Sequence, residues 1–465
     1  MGRDRLSVWS EYGFTRYAVK EWVASSTLGR TAFEFAALRA ADWAALRGDA
    51  YRQAEHICSA IRLLETQQVS STLRERHATV LSRANAAAAN SDSPLLESYL
   101  ASAAAGRSRQ LYLRHGRELA ARMKFPRAPD DPRRQGNLLV LKPFDPATGE
   151  KGVLYLQYTE SILSFAALFD LAAVARRYRL VLEPSTWGYQ DASFLLLLRH
   201  GFDVIVQAQD APDYEYIRGL ASNLRPIRLG AGDWIDPQLF TAERTPKVFD
   251  FVMVASWSPV KRHTLFFASL AAAGLQRAPV ALIGYPWEGR TREDIERAAA
   301  HYGIANVTVF ERIPRQEVAR IVRSSRVGVM LSRREGANRG VYECLFCDVP
   351  VVISRANRGF NKDHINVATG RLADDETLGE VLAGVLADHQ GFAPRAWAEQ
   401  HTGYVRASQT LNGFLRQLAR EQGEPYETNI AVTRSAPYAM YVDDADWQRL
   451  EPERAGMTQL LRSEG

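Results

Sequence analysis

Cysteine is almost absent. Cys58, Cys344 and Cys347 are the only three in 465 residues. So small and odd a number argues against a disulfide framework and for a reducing compartment. Long apolar runs are missing as well. The longest candidate, residues 165–175, is broken by Asp170 and falls well short of the roughly 20 residues a membrane-spanning helix needs. The chain starts Met1-Gly2-Arg3-Asp4-Arg5 and continues polar and aromatic, unlike the apolar stretch of a secretory leader. A cytoplasmic location is expected, with any membrane contact peripheral and on the inner face. Glycine and proline are scarce over residues 1–135, which excludes a loop-rich or β-rich start.

What is present is ordinary in bulk: 46% hydrophobic and 24% charged residues. A chain of 465 residues is too long for one core, so two or three domains are expected. The net charge of +5 is uneven. Residues 1–135 carry roughly +7 and the rest about −2. A basic face attracts anionic partners such as a membrane surface or an acidic polymer, although arginine also serves as a solvated helix former. Nucleic acid belongs to the same class by charge, but no nucleic-acid partner is expected. Cys344 and Cys347 sit at i, i+3 beside Leu345 and Phe346, a packing pattern rather than a zinc or redox site.

The spacing of Ala37, Leu38, Ala41 and Ala45 predicts helix in residues 1–135, with breaks at Gly48-Asp49 and residues 90–93. Pro126, Pro129 and Pro132 among charges read as a stiff linker. Short strands then alternate with helices: strands at 138–141, 152–157, 180–183 and 203–207, helices at 162–178 and 194–199. After a glycine-rich hinge at 229–236 the alternation restarts, through strands at 249–255, 280–284, 307–310, 327–331 and 349–353. Such alternation predicts parallel sheets with crossover helices. The expected organisation is therefore α/β. A helical domain (1–135) precedes two facing Rossmann-like domains (136–240 and 241–390), and helices and a tail follow (391–465).

The most telling segment is Glu335-Gly336-Ala337-Asn338-Arg339-Gly340-Val341-Tyr342-Glu343. A strand pattern runs into it and a helix leaves it. A glycine loop entering a helix presents backbone N–H groups to a phosphate, and flanking carboxylates can accept hydrogen bonds from sugar hydroxyls.

From here the chain resembles retaining glycosyltransferases of family 4, of GT-B fold, over roughly residues 136–420. Five matches in order carry the resemblance. Val254-Ala255-Ser256-Trp257-Ser258-Pro259-Val260-Lys261 resembles the segment ending in the family's phosphate-binding lysine. Residues 310–314, including Ile313, resemble the nucleoside-binding stretch. Glu335 to Glu343 is similar to the E-x7-E signature. Glu343-Cys344-Leu345-Phe346-Cys347-Asp348-Val349-Pro350-Val351-Val352 is similar to the helix and Pro-Val-Val strand. Asn366-Val367-Ala368-Thr369-Gly370-Arg371-Leu372 is similar to the closing turn.

The resemblance implies a nucleotide-diphosphate sugar donor, a glycan or lipid-linked acceptor, and catalysis by Lys261 and Glu335. Lys261, Arg262, Gly336, Ala337, Asn338, Arg339, Gly340, Glu343 and Ile313 would bind the donor. No carboxylate cluster of a metal-holding kind stands out, so neither metal nor cofactor is expected. Ser256 stands where the family often has arginine; Arg262, Arg333, Arg334 and Arg339 are alternatives for that charge. Asp348 replaces a small residue. On the acceptor side Glu160, Glu183 and Trp187 follow strands and are the candidates; His200 is a loop histidine. The rival readings are an inactive GT-B-like binding protein acting through its basic helical domain, and a nucleotide-sugar epimerase.

Overall fold

The computed structural model describes residues 23, 26–65, 68–85, 91–115, 138–184, 188–336, 338–435 and 439–462. The proline linker expected near residue 130 lies outside them. The fold is α/β, with helices leading the chain. Two compact units divide it: Val23–Gly230 joined by Ala407–Gly465, and Ala231–Arg406.

The first unit holds a five-stranded sheet of β1 (Leu138–Lys142), β2 (Gly152–Gln157), β3 (Tyr178–Glu183), β4 (Val204–Gln207) and β5 (Leu224–Ile227), in that spatial order. β2 to β5 run parallel, and β1 is antiparallel to β2. The reason is the short connection over 143–151. It closes as a hairpin through an Asp145–Glu150 bridge and cannot span a parallel crossover. The helix expected at 162–178 is two, Thr159–Leu168 and Leu171–Arg177. Asp170 splits them by accepting from the N–H groups of Ala172 (2.8 Å) and Ala173 (3.0 Å), as N-cap residues do.

The leading helices α1 (Thr27–Leu46), α2 (Ala50–Leu64), α3 (Ser71–Asn85), α4 (Pro94–Leu100) and α5 (Ala103–His115) belong to this unit rather than to a separate 1–135 domain. Tyr99 donates to the Leu163 carbonyl at 2.9 Å. Arg62 pairs with Asp191, Arg199 with Asp92 at 2.8 Å, and Tyr216 meets His77 at 2.9 Å. The break at Gly48-Asp49 is present: Gly48 takes φ +72° and Asp49 caps α2 through the Arg52 N–H at 2.9 Å. The tail returns here too. Ala431 N–H donates to the Leu141 carbonyl at 2.7 Å, and Tyr441 Oη to that of Val140 at 2.7 Å.

In the second unit six parallel strands stand in the order β11-β10-β9-β6-β7-β8. They are β6 (Phe249–Val254), β7 (Val280–Gly284), β8 (Val307–Glu311), β9 (Ser325–Met330), β10 (Val351–Ser354) and β11 (Gly370–Ala373). Side chains alternate between two cores. Val252, Ala281, Ile283, Val351 and Ile353 face one, while Phe251, Met253, Leu282, Val327 and Val352 face the other. That is the period of two of a strand buried on both faces. Strand order reverses between β6 and β9, so the topological switch point lies at their carboxyl ends, where α/β sheets bind ligands.

Candidate functional site

Both segments singled out in the sequence leave strands at this switch point. After β6 a 3₁₀ turn, Pro259–Lys261, leads to Arg262, whose φ of +60° turns the chain into the helix His263–Ala272. After β9 comes the loop that carries Glu335. Lys261 Nζ meets Glu335 Oε1 at 2.5 Å, and Ser332 Oγ donates to the same oxygen. Glu335 is only 7% exposed. Its backbone N–H donates to the Arg358 carbonyl at 2.9 Å, and Arg358 N–H to that of Arg333 at 2.7 Å. The loops after β9 and β10 thus brace each other and hold the carboxylate in place.

Arg262, expected to reach the donor, is engaged elsewhere. Its guanidinium makes a fork to Asp375 (2.9 and 2.6 Å) and reaches the Leu331 carbonyl at 3.3 Å. Arg333 joins the same carboxylate at 2.7 Å. Two of the four arginines open as replacements at Ser256 therefore share one acid. Burial pushes the Asp375 carboxyl up, but hydrogen bonds and charge from Arg262 and then Arg333 outweigh it and bring it from 3.8 to about 2. A carboxylate lowered in the folded state stabilises above its unfolded value, and this is lost as pH falls from there toward the folded value. Asp375→Asn is expected to cost about 2 kcal/mol at neutral pH. The gap from wild type should close below about pH 4, as urea titrations across pH would show.

Helix Arg339–Phe346 starts with Asn338, whose side chain accepts the Val341 N–H at 3.3 Å. Gly340 allows this turn to lie on the end of β6. A Cβ there would stand 3.1 Å from the Val254 carbonyl oxygen. Gly336 lies in the preceding loop, Arg339 opens the helix half-buried, and Ala337 is outside the described residues. Glu343, one turn in, is 2% exposed. Arg315 Nη2 reaches its Oε1 at 3.0 Å, while its Oε2 is buried with no hydrogen-bond partner. A buried acceptor left unpaired is costly, so this oxygen is poised for a donor. Arg315 opens the helix Arg315–Arg323 and lies 5.1 Å over the Phe240 ring. Ile313, just before it, is half-buried against the same cluster.

Four contributors escaped the sequence reading: Ser332, Asp375, Arg315 and the fully buried Asn357, which donates to the Ser332 carbonyl at 2.7 Å. Asp375 follows β11, and the rule that carboxyl ends gather site residues would have found it. His263, directly after Arg262, is fully buried with both ring nitrogens unpartnered. Burial, with the charges of Arg290 and Lys261, pushes it down to about 3, so it is a neutral packing group.

In the first unit Glu183 ends β3, 2% exposed, and accepts from Tyr155 Oη and, at 2.9 Å, from Gln157 Nε2. It is part of a buried polar network. Glu160 sits half-buried in the first turn of Thr159–Leu168. Trp187 lies outside the described residues. His200 is exposed and lines a cavity of about 630 Å³ beside the residues that precede β4 and β5, at the strands' amino ends. Cys344 and Cys347 are free and buried, and burial raises both thiols. Among the described residues no group of His, Cys, Asp or Glu is arranged to hold a metal ion.

Residues 238–389 match the family model described as glycosyl transferases group 1. The match spans both acidic residues, Lys261 and the whole six-stranded sheet, and it covers less than half of the chain. No curated protein sequence matches. Among solved structures, sucrose-phosphate synthase from Thermosynechococcus elongatus is 19% identical over 58% of this chain and 74% of its own, with a TM-score of 0.45. HepE from Anabaena in complex with UDP is 16% identical over 56% and 78%, TM-score 0.45. Trehalose 6-phosphate synthase from Burkholderia multivorans is 15% identical over 58% and 72%, TM-score 0.44.

Proposed function

We propose that the chain is a retaining glycosyltransferase that moves a sugar from a nucleotide-diphosphate donor to a hydroxyl of a glycan or lipid-linked acceptor. The observation that carries this is the pair of buried carboxylates, Glu335 and Glu343, on one loop and helix at the switch point. Each is held by a single cation, Lys261 or Arg315, and Glu343 keeps one oxygen unused.

The chemistry follows from charge. Departure of a nucleoside diphosphate builds negative charge on its distal phosphate, and stabilising that charge is the main catalytic task. Lys261 is a flexible point charge that would pass from Glu335 to the phosphate as the donor enters. The N–H groups of the first turn of Arg339–Phe346 add the positive end of a helix. Released from Lys261, Glu335 would take hydroxyls of the donor sugar, and Glu343 Oε2 would take the ribose hydroxyls. Arg262 and Asp375 are positioning groups in this reading, since their charges satisfy one another. The acceptor hydroxyl would attack from the face the phosphate leaves and lose its proton to that phosphate, which retains the anomeric configuration without a metal.

Thermal denaturation with UDP, GDP, ADP and their sugars tests the donor site. One nucleotide family is expected to raise Tm by roughly 5–10 °C at about a hundredfold excess over Kd. Proton NMR of the product with that donor and a panel of acceptors then reads the anomeric configuration. Absence of any shift would reject the donor site. Binding without transfer to any acceptor would favour the inactive binding protein.

A further inference from the structure

Helix α1 buries small residues and exposes a face of large apolar ones. Its buried positions are Gly29, Ala37, Ala41 and Ala44. Four of its six large apolar side chains point to solvent: Leu28 is 72% exposed, Phe35 62%, Trp43 58% and Leu46 85%, while Phe33 and Leu38 are half-buried. At 3.6 residues per turn those four fall within about 80° of arc, opposite the three alanines. The usual order is large residues inside, and a contiguous exposed apolar face marks a contact surface.

Two cations belong to the same face. The Arg39 guanidinium lies 5.3 Å from the Phe35 ring centre, and that of Arg47 lies 3.4 Å from that of Trp43. Among the described residues neither has a carboxylate partner. The acids nearest the stripe are occupied: Asp42 by Arg76 at 3.0 Å, and Glu34 by the Ser70 N–H at 3.3 Å. A second copy pairing symmetrically through this face would set those arginines against one another. A layer of lipid phosphates would receive them.

We infer that α1 lies flat on an anionic membrane surface. Leu28, Phe35, Trp43 and Leu46 enter the boundary of the acyl chains, and Arg39 and Arg47 stay at phosphate level. Twenty residues give a contact about 30 Å long. No described helix is long and apolar enough to cross a membrane, so the contact is superficial. This inference does not depend on the nucleotide-sugar reading.

The test is co-sedimentation of the full chain with vesicles of phosphatidylcholine alone or mixed with phosphatidylglycerol. Binding is expected only to the mixed vesicles, weakening at high salt as the arginine contribution is screened. The Phe35→Ser/Trp43→Ser variant should lose roughly tenfold or more in partitioning, with Tm unchanged because both side chains are exposed. Arg39→Glu/Arg47→Glu should lose binding to the mixed vesicles. Three results would overturn the proposal: wild type left in the supernatant with both vesicles, equal binding to both, or a wild-type dimer by light scattering that Phe35→Ser/Trp43→Ser converts to a non-binding monomer.

Discussion

Replacing Lys261 with alanine is expected to lower kcat about 10²- to 10³-fold, the usual loss when one stabilising group is removed from a developing oxyanion. It should also lower stability. Glu335, 7% exposed, would keep only Ser332 as a side-chain partner, and breaking an ion pair on one side leaves an uncompensated charge. Lys261 is 20% exposed on its side chain, so the expected cost is about 2 kcal/mol, below the range for fully buried pairs. Adding Glu335→Gln should recover most of that stability, because the amide needs no counter-charge, and should leave activity low. Stability and activity thus fall together in the first step and part in the second, where only stability returns, which a merely structural ion pair would not produce. Wild-type turnover in the double variant would remove both residues from the reaction.

Gly284→Ala should be a strongly damaging small substitution in the second unit. A Cβ at this last residue of β7 would lie 2.0 Å from the Ala255 carbonyl oxygen and 2.7 Å from the Trp257 ring. Neither can yield easily. Ala255 N–H is already bonded to the Ile283 carbonyl at 2.9 Å, and Trp257 is fully buried with its indole N–H directed to Glu311 at 3.4 Å. The loop that ends in Lys261 must therefore shift. Overpacking of this kind costs about 3 kcal/mol, or roughly 6–12 °C in Tm for a unit of this size, and it should impair donor binding as well. Gly274→Ala is the control: its φ of +73° is strained but nothing lies within 4 Å, so about 1 kcal/mol is expected. Equal Tm loss in the two variants would show that steric closeness at Gly284 is not what matters.

The second unit was readable because its inner strands are largely buried on both faces. β7 and β10 appear as plain apolar runs, punctuated by Gly284 and by Pro350. Local period and turn chemistry suffice for such elements. The acidic motif was readable for the same reason, since a glycine loop between strand and helix is a local pattern. What escaped depends on partners remote in sequence. Glu150 accepts from the N–H groups of Glu427 and Thr428, more than 270 positions away, so the 143–151 loop is a tied-down turn that local reading cannot foresee. Arg315 finds Glu343 only after β9 has passed between them. The three-residue strands Thr433–Ser435 and Ala439–Tyr441 are too short to show a period. Asp348 looked like a departure and has a local cause. It takes φ +57° after its helix, where Asp is tolerated, and its carboxylate accepts the Arg395 N–H at 3.1 Å.

The division at Gly230 and again at Arg406 makes the six-stranded unit an insert within its neighbour, and this has a bearing on synthesis. On the ribosome the insert is continuous and complete once residue 406 has emerged. The host must wait, because Leu141, Val140 and Glu150 take partners from residues 427–441. At ordinary elongation rates the waiting time is on the order of tens of seconds. During it the nascent β1 edge is open, so the period of greatest risk of wrong pairing belongs to the unit that starts first and finishes last.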